Sequence, residues 1–171
     1  HAHSFIAVVA ITGFLCLANF KKWKALWPYV LTAGAISSTL YFIFIHGGIE
    51  NQSFMRWDPG YMVDGDFFDW LRMWWFVWGI MPPVLIYGIL VNWKTTNKSK
   101  MAIYIAAATL FIIGNFYLFQ PIGWDNSKIF WWAYLIFSAP AAMALGKIWN
   151  TRNFLFRTIA IILLIVLTFL G

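Results

Sequence analysis

The chain has 171 residues, of which 62% are hydrophobic and only 11% are charged. Soluble domains carry about 25% charged residues, so this composition excludes an ordinary water-soluble globule. The formal net charge of +6 would suggest a nucleic-acid partner in a soluble protein, but basic cytoplasmic loops explain it in a membrane protein. We therefore predict an integral membrane protein whose first partner is the lipid bilayer, and we expect no nucleic-acid binding.

Six apolar segments approach the length of about 20 residues that a helix needs to cross the hydrocarbon core. In chain order they cover residues 4–20, 27–45, 67–91, 101–119, 129–148 and 154–170. They predict an all-α integral membrane protein in which residues 1–171 form one multi-spanning domain. Within the third segment, Pro82 and Pro83 remove backbone donors and are expected to kink or break the helix.

The basic residues are concentrated in alternate loops. Of the 12 lysines and arginines, only Arg56, Arg72 and Lys128 fall on the side that carries all six acidic residues. By the positive-inside rule, the loops that hold the others face the cytoplasm. The N-terminus and the loops at residues 47–66 and 120–128 are therefore expected to lie on the extracytoplasmic side, as the functional loops of a multi-pass protein.

The start of the sequence carries no recognisable targeting segment. It begins at His1 and lacks the basic region, short apolar run and cleavage site of a signal peptide. We expect the sequence to be part of a longer protein or a processed chain.

Acidic residues in the 47–66 loop suggest a divalent cation as a cofactor. Asp58, Asp64 and Asp66, with Asp69 nearby, are weak candidates for oxygen ligands to Ca²⁺ or Mg²⁺. The full spacing of an EF-hand is absent. The alternative is a solvated, glycine-rich turn whose carboxylates point at water.

The remaining titratable candidates are three histidines and one arginine. His1, His3 and His46 are all expected on the extracytoplasmic side, where imidazole can bind a metal, carry protons or hydrogen-bond a phosphate. The alternative is that they cap helix ends. Arg72 lies one turn from Asp69 on one helical face. It can bind a phosphate through two nitrogens, or pair with Asp69 and extend toward the lipid headgroups.

The most compact polar group lies in the 120–128 loop. It contains Gln120, Trp124, Asp125, Asn126 and Lys128. A polar group between two apolar segments must lie at a water boundary or line a cavity. In one interpretation Asn126 or Ser127 caps the next helix, and Asp125 interacts favourably with the helix dipole. That interpretation leaves Gln120 and Lys128 without a role.

The same loop carries a family resemblance. Residues 119–130, FQPIGWDNSKIF, resemble the Phe-Gln-Pro-x-x-Trp-Asp-Asn-x-Lys stretch in the C-terminal membrane half of GT-C-type glycosyltransferases, in a bacterial and archaeal branch. Residues 1–5 are similar to a His-x-His-Ser/Thr-Phe stretch that opens a middle span of those proteins. Residues 57–62, WDPGYM, look like their outer loop.

The resemblance implies transfer of a sugar from a polyprenyl-phosphate donor on the extracytoplasmic face. The positions that match are His1, His3, Gln120, Trp124, Asp125, Asn126 and Lys128. In the family, a catalytic aspartate lies in an outer loop near the N-terminus, and no residue of this sequence matches it. The catalytic residue is therefore unassigned.

Two other functions fit the composition. The first is a non-catalytic accessory or structural subunit of a larger membrane complex, whose aromatic and small-residue faces contact partner helices. The second is a transporter or channel fragment. Ion and proton pathways usually need charged residues within the membrane. Apart from Arg157, few charges fall within the apolar segments, which argues against the transporter or channel.

Overall fold

The computed structural model of the protein describes residues 2–42, 55–119, 122–151 and 153–169. Helices make up about 83% of this part of the chain, so the fold is largely α-helical as predicted. The helices are α1 (Ala2–Ala18), α2 (Trp23–Tyr41), α3 (Phe67–Trp78), α4 (Met81–Val91), α5 (Lys98–Phe116), α6 (Ser127–Trp149) and α7 (Phe154–Phe169). Two short strands, β1 (Arg56–Trp57) and β2 (Tyr117–Leu118), pair antiparallel.

The helices differ in their capacity to cross a membrane. Among the described residues, α5 and the helix over residues 123–149, which includes α6, are long and apolar enough to do so. The number rises to four if each of two sharply bent helix pairs counts as one crossing. α7 is apolar but shorter in its described part. These helices support a membrane protein, while the number of six spans stays a prediction.

The predicted break in the third apolar segment is confirmed. α3 and α4 meet at 79°, and the chain turns at Gly79, whose φ of 53° is in the region that favours glycine. Pro82 and Pro83 follow in the first turn of α4, where a missing backbone N–H costs little. By contrast, α6 continues through Pro140 without interruption.

A second bend separates α1 from α2. The two helices meet at 87° through the 3₁₀ turn Phe20–Lys22. None of the described side chains of α2 is buried. The two helices therefore do not form the antiparallel hairpin that a short loop between two spans would suggest.

The described chain groups into two compact units. The first combines residues up to Tyr61 with Lys98–Trp132, and the second combines Met62–Asn97 with the residues from Ala133 onward. In the first unit α1 lies along α5. Its core contains Ala7, Leu110, Phe119 and Ile129.

α1 and α5 run in opposite directions. At one end, the Nδ2 of Asn19, just after α1, donates to the Oγ of Ser99 at the start of α5, at 3.3 Å. Midway, Ala7 and Leu110 share the core. The start of α1 therefore lies near the end of α5.

In the second unit, the backbones of α4 and α6 are in direct contact. A Cβ atom added to Gly88 would overlap the carbonyl oxygen of Pro140 and lie 2.7 Å from its carbonyl carbon. Trp78 packs edge to face against Tyr134 and Phe137 of α6. Glycine at position 88 is therefore required by the helix contact.

We expect Gly88→Ala to destabilise the protein by about 1–3 kcal/mol, because overpacking against backbone atoms forces the two helices apart. Thermal unfolding of the purified protein in detergent measures the effect. The control is Gly146→Ala in α6, where an added Cβ meets nothing within 4 Å and alanine favours the helix. A Gly88→Ala variant as stable as the Gly146→Ala variant would contradict the close helix contact.

Candidate functional site

The loop at residues 55–61 docks onto the end of α5. Arg56 pairs with Leu118 and Trp57 with Tyr117 in the β1–β2 ribbon. The backbone N–H of Asp58 then donates to the carbonyl of Phe116 at 2.9 Å. Two segments that are distant in sequence are thereby held side by side in the first unit.

Aromatic side chains reinforce this docking. The Trp57 ring stacks on Phe116 with centroids 5.3 Å apart and meets Tyr117 edge to face at 5.1 Å. The N–H of Gly60 donates to the carbonyl of Asn115 at 2.9 Å. The face of the Trp57 ring that does not contact Phe116 or Tyr117 is exposed, as is common for tryptophan at a membrane interface.

The carboxamide of Asn126 holds the turn between α5 and α6. Its Nδ2 donates to the carbonyls of Gly114 at 2.8 Å and Tyr117 at 2.9 Å. Its Oδ1 accepts from the N–H of Phe119 at 3.3 Å. The residue is only 1% exposed, so these bonds satisfy backbone groups that water does not reach.

This arrangement corrects the capping interpretation for Asn126. Its side chain binds backbone groups 7 to 12 residues earlier in the chain, not the first turn of α6. The 3₁₀ turn Gly123–Asn126 leads directly into α6 at Ser127. The residue positions the polar loop and does not merely end a helix.

The chain is strained where the docked loop ends. Tyr61 and Met62 have φ values of 39° and 60°, after Gly60 at 104°. Non-glycine residues in such conformations cost about 1–3 kcal/mol each and cluster at functional sites. Tyr61 is held there because its buried ring packs edge to face on Phe130, with centroids 4.6 Å apart.

The hydroxyl of Tyr61 remains protonated in this environment. Burial raises the pKa of Tyr61 above its usual value, and a hydrogen bond with the Ser127 side chain offsets part of that rise. A neutral phenol inside the site contributes a hydrogen-bonding group without adding charge.

Asp125 and Lys128 form an ion pair beside the turn. The Nζ of Lys128 donates to the Oδ1 of Asp125 at 2.9 Å, and the two side chains are 34% and 30% exposed. An ammonium group has three donors, so this bond leaves Lys128 two N–H donors. The indole of Trp124, just before the pair, is exposed.

His3, one of the predicted candidates, is buried in the structure. It is 0% exposed. Within the described part of the chain neither of its ring nitrogens makes a hydrogen bond of good geometry, although the Asn126 side chain lies close enough to interact with the ring. It lies one turn before Ala7 on the buried face of α1, and the charges of Asp125 and Lys128 act on its ring. A buried imidazole that lacks well-formed hydrogen bonds costs free energy.

Arg72 belongs to the second unit. Its Nη1 lies 3.5 Å from the Oδ1 of Asp69 and its side chain is 70% exposed, so the pair contributes little to stability. Both residues line a shallow depression of about 380 Å³ with Asp64 and Phe76. Arg72 remains available to an external group.

The acidic candidates do not gather around a common point. Asp66 caps α3 by accepting from the N–H groups of Phe68 and Asp69. Asp58 forms a long ion pair with Arg56 at 3.8 Å. Among residues 2–42, 55–119, 122–151 and 153–169, no group of three or more His, Cys, Asp or Glu side chains is arranged to hold a metal ion.

Three of the candidate residues, His1, His46 and Gln120, lie outside the described residues. In the first unit the structure brings together His3, Asp125, Asn126 and Lys128, with Trp124 at the surface. Sequence reasoning missed Tyr61 and Gly114. A Cβ on Gly114 would lie 2.8 Å from the ring of Phe130, and no local pattern reveals such a contact.

Comparison with family models, curated proteins and solved structures gives no match for this chain.

We expect Asn126→Ala to destabilise the protein by about 2–4 kcal/mol, since each buried backbone group left unpaired costs about 1–3 kcal/mol unless water reaches it. Asn126→Asp should also destabilise, because a carboxylate cannot donate to the two carbonyls. Thermal unfolding gives the size of the effect, and hydrogen exchange at the Phe119 amide locates it.

The matched control is Asn150→Ala, an exposed asparagine just after α6, which should change the unfolding free energy by less than about 0.5 kcal/mol. Equal stability of the Asn126→Ala and Asn150→Ala variants, with unchanged exchange at Phe119, would contradict the role given to Asn126.

Proposed function

We propose that this chain is the membrane part of a GT-C-like glycosyltransferase, which transfers a sugar from a lipid-phosphate donor on the extracytoplasmic face. One observation carries the proposal. Three stretches that resemble the family contribute to the first unit: the residues around His3, Trp57–Tyr61, and Phe119 with residues 122–130. They are far apart in sequence, so their meeting is not a consequence of local chain geometry.

The contacts that join these stretches are specific. The β1–β2 ribbon and the Tyr61–Phe130 ring pair connect the second stretch to the third. One turn after His3, Ala7 packs with Phe119 and Ile129 in a common core, which connects the first stretch to the third. Because the three stretches contact one another, the grouping favours one shared site over three separate helix ends with unrelated roles.

The chemistry of sugar transfer needs a group that stabilises the departing phosphate. The acceptor hydroxyl gives its proton to a base and its oxygen bonds to the anomeric carbon. The bond from that carbon to the phosphate oxygen breaks, and the polyprenyl phosphate leaves with the electron pair. A cation placed at the phosphate lowers the barrier because it stabilises charge that develops during the reaction. Lys128 is the cation best placed in the first unit, with two donors beyond its bond to Asp125.

The neighbouring groups have complementary roles in this proposal. Asp125 orients Lys128 and accepts from sugar hydroxyls. His3 supplies an N–H to the phosphate once the donor has opened the site, which would satisfy a ring nitrogen that makes no hydrogen bond of good geometry among the described residues. Trp124 presents an exposed apolar ring face together with an indole N–H. The catalytic base remains unassigned.

The proposal keeps the predicted orientation, with the N-terminus and residues 120–128 outside. α1, α5, α6 and α7 each provide one crossing, and the bent pair of α3 and α4 provides another. α2 meets α1 at 87° and is assigned no crossing of its own. The separation of charge in the first unit supports the orientation. Asp58 and Asp125 lie at the end of α5, and Lys98 and Lys100 lie at its start.

A second function, that of a non-catalytic subunit of a membrane complex, is favoured by α2. This helix is apolar, yet none of its described side chains is buried. A helix of a partner protein would cover such a face in a complex. In that case the polar loop would have a structural role and would bind no sugar donor.

We expect the chain in lipid nanodiscs to bind a fluorescent polyprenyl-phosphate sugar, and unlabelled polyprenyl phosphate to displace it. Lys128→Gln should weaken binding by about 10-fold or more, since a hydrogen bond to a charged group contributes about 1.5–3 kcal/mol. Asp125→Asn should also weaken binding, though by less, because the amide no longer orients Lys128 through an ion pair and keeps one oxygen that accepts from sugar hydroxyls. Fluorescence anisotropy gives the dissociation constants.

The control is Lys147→Gln, which removes one positive charge from the last turn of α6 in the second unit. If unlabelled polyprenyl phosphate does not displace the fluorescent donor, the donor-site proposal is wrong and the non-catalytic subunit is favoured. An equal loss of affinity in the Lys128→Gln and Lys147→Gln variants would show that only the total charge matters.

A further inference from the structure

Five lysines gather at the end of the first unit that is remote from the candidate site. They are Lys21, Lys22 and Lys24 at the α1–α2 bend, and Lys98 and Lys100 at the start of α5. We call this group the basic end. All five side chains are exposed.

A side-chain hydrogen bond brings the two sets of lysines together. Asn19, which precedes the bend, donates to the hydroxyl of Ser99 at 3.3 Å, and Ser99 lies between Lys98 and Lys100. The Nδ2 of Asn19 also donates to the carbonyl of Leu15 at 2.9 Å, in the last turn of α1. The bend is therefore fixed to the first turn of α5.

The described acidic residues of the first unit lie far from the basic end. They are Asp58 and Asp125, beside the far end of α5. His3 and Asn19 are 16 positions apart, which corresponds to about 24 Å along α1 at 1.5 Å per residue. That distance exceeds a Debye length of about 8 Å at physiological salt, so these carboxylates are largely screened from the lysines.

The helix ends make the positive potential stronger. α5 begins at Lys98 with no acidic residue in its first turn, although acidic residues are the ones that stabilise a helix N-terminus. Lys98 and Lys100 instead add positive charge to the positive end of the helix dipole. An external anion would relieve this repulsion.

Aromatic side chains next to the lysines indicate the kind of anion. Trp23 and Trp27 lie one turn apart at the start of α2 and pack edge to face, with centroids 6.3 Å apart. Each is half exposed, and Phe20 is more exposed still. Tryptophan beside lysine is typical of the headgroup layer of a bilayer. A soluble phosphate would make no use of the apolar surface, whereas a phospholipid would cover it.

We propose that the basic end binds the phosphate headgroups of anionic phospholipids, with Phe20, Trp23 and Trp27 against the adjoining acyl chains. This lipid site lies apart from the candidate donor site. It is independent of sugar transfer and would hold equally for a non-catalytic subunit.

Native mass spectrometry of the full chain, titrated with phosphatidylglycerol or phosphatidylcholine of identical acyl chains, tests the proposal. We expect the protein to retain phosphatidylglycerol in preference to phosphatidylcholine. The double variant Lys22→Gln/Lys98→Gln should weaken the retention of phosphatidylglycerol by about 5- to 30-fold, because it removes two lysines that attract an anionic headgroup. Added salt should weaken it as well. Excess inorganic phosphate should compete poorly.

The matched control is Lys94→Gln/Lys147→Gln, which removes the same charge from the second unit and should leave retention unchanged. Equal retention of the two lipids by the unmodified chain would overturn the proposal. So would an equal loss in both double variants, which would indicate diffuse attraction. Full competition by inorganic phosphate would show an anion site that does not require a lipid.

Discussion

The geometry of the candidate site depends on one buried carboxamide. Asn126 satisfies three backbone groups of residues 114–119 and so fixes how the chain passes from α5 into α6. This places Tyr117 and Leu118 where β1 can pair with them. The loop at residues 55–61 then docks, and Tyr61 reaches Phe130.

The same constraint determines which side chains face outward. With Asn126 turned into the core, Asp125 and Lys128 lie on either side of it and pair with each other at 2.9 Å, and Trp124 is left at the surface. The strained backbone at Tyr61 and Met62 persists because the surrounding contacts hold it. A polar surface of this kind is preorganised, which reduces the reorganisation that a bound phosphate would require.

The sequence predicted the helices well, because apolar length and proline position act locally. The apolar segments match helices to within a few residues, and Pro82 and Pro83 mark the break between α3 and α4. The 87° bend after α1 was not predicted. A hydrogen bond between Asn19 and Ser99, 80 positions apart in the chain, lies beside it, and such a contact leaves no local pattern in the sequence. The six spans, the orientation and the family stay predictions.

The candidate site was predicted in part. Grouping Asp125, Asn126 and Lys128 needed only their proximity in sequence. The role of Asn126 was misread because capping is a local rule, whereas its actual partners lie up to 12 residues earlier. The burial of His3 and the packing of Tyr61 follow from tertiary contacts that no pattern in either stretch encodes.

The most direct test of the central claim is photocrosslinking in membranes with a polyprenyl phosphate that carries a diazirine near the phosphate. Peptide mapping by mass spectrometry then locates the label. We predict label on residues 122–130 and 55–61, removed by excess unlabelled polyprenyl phosphate. Label spread evenly over the apolar helices, or label that excess lipid does not displace, would contradict a donor site organised by Asn126.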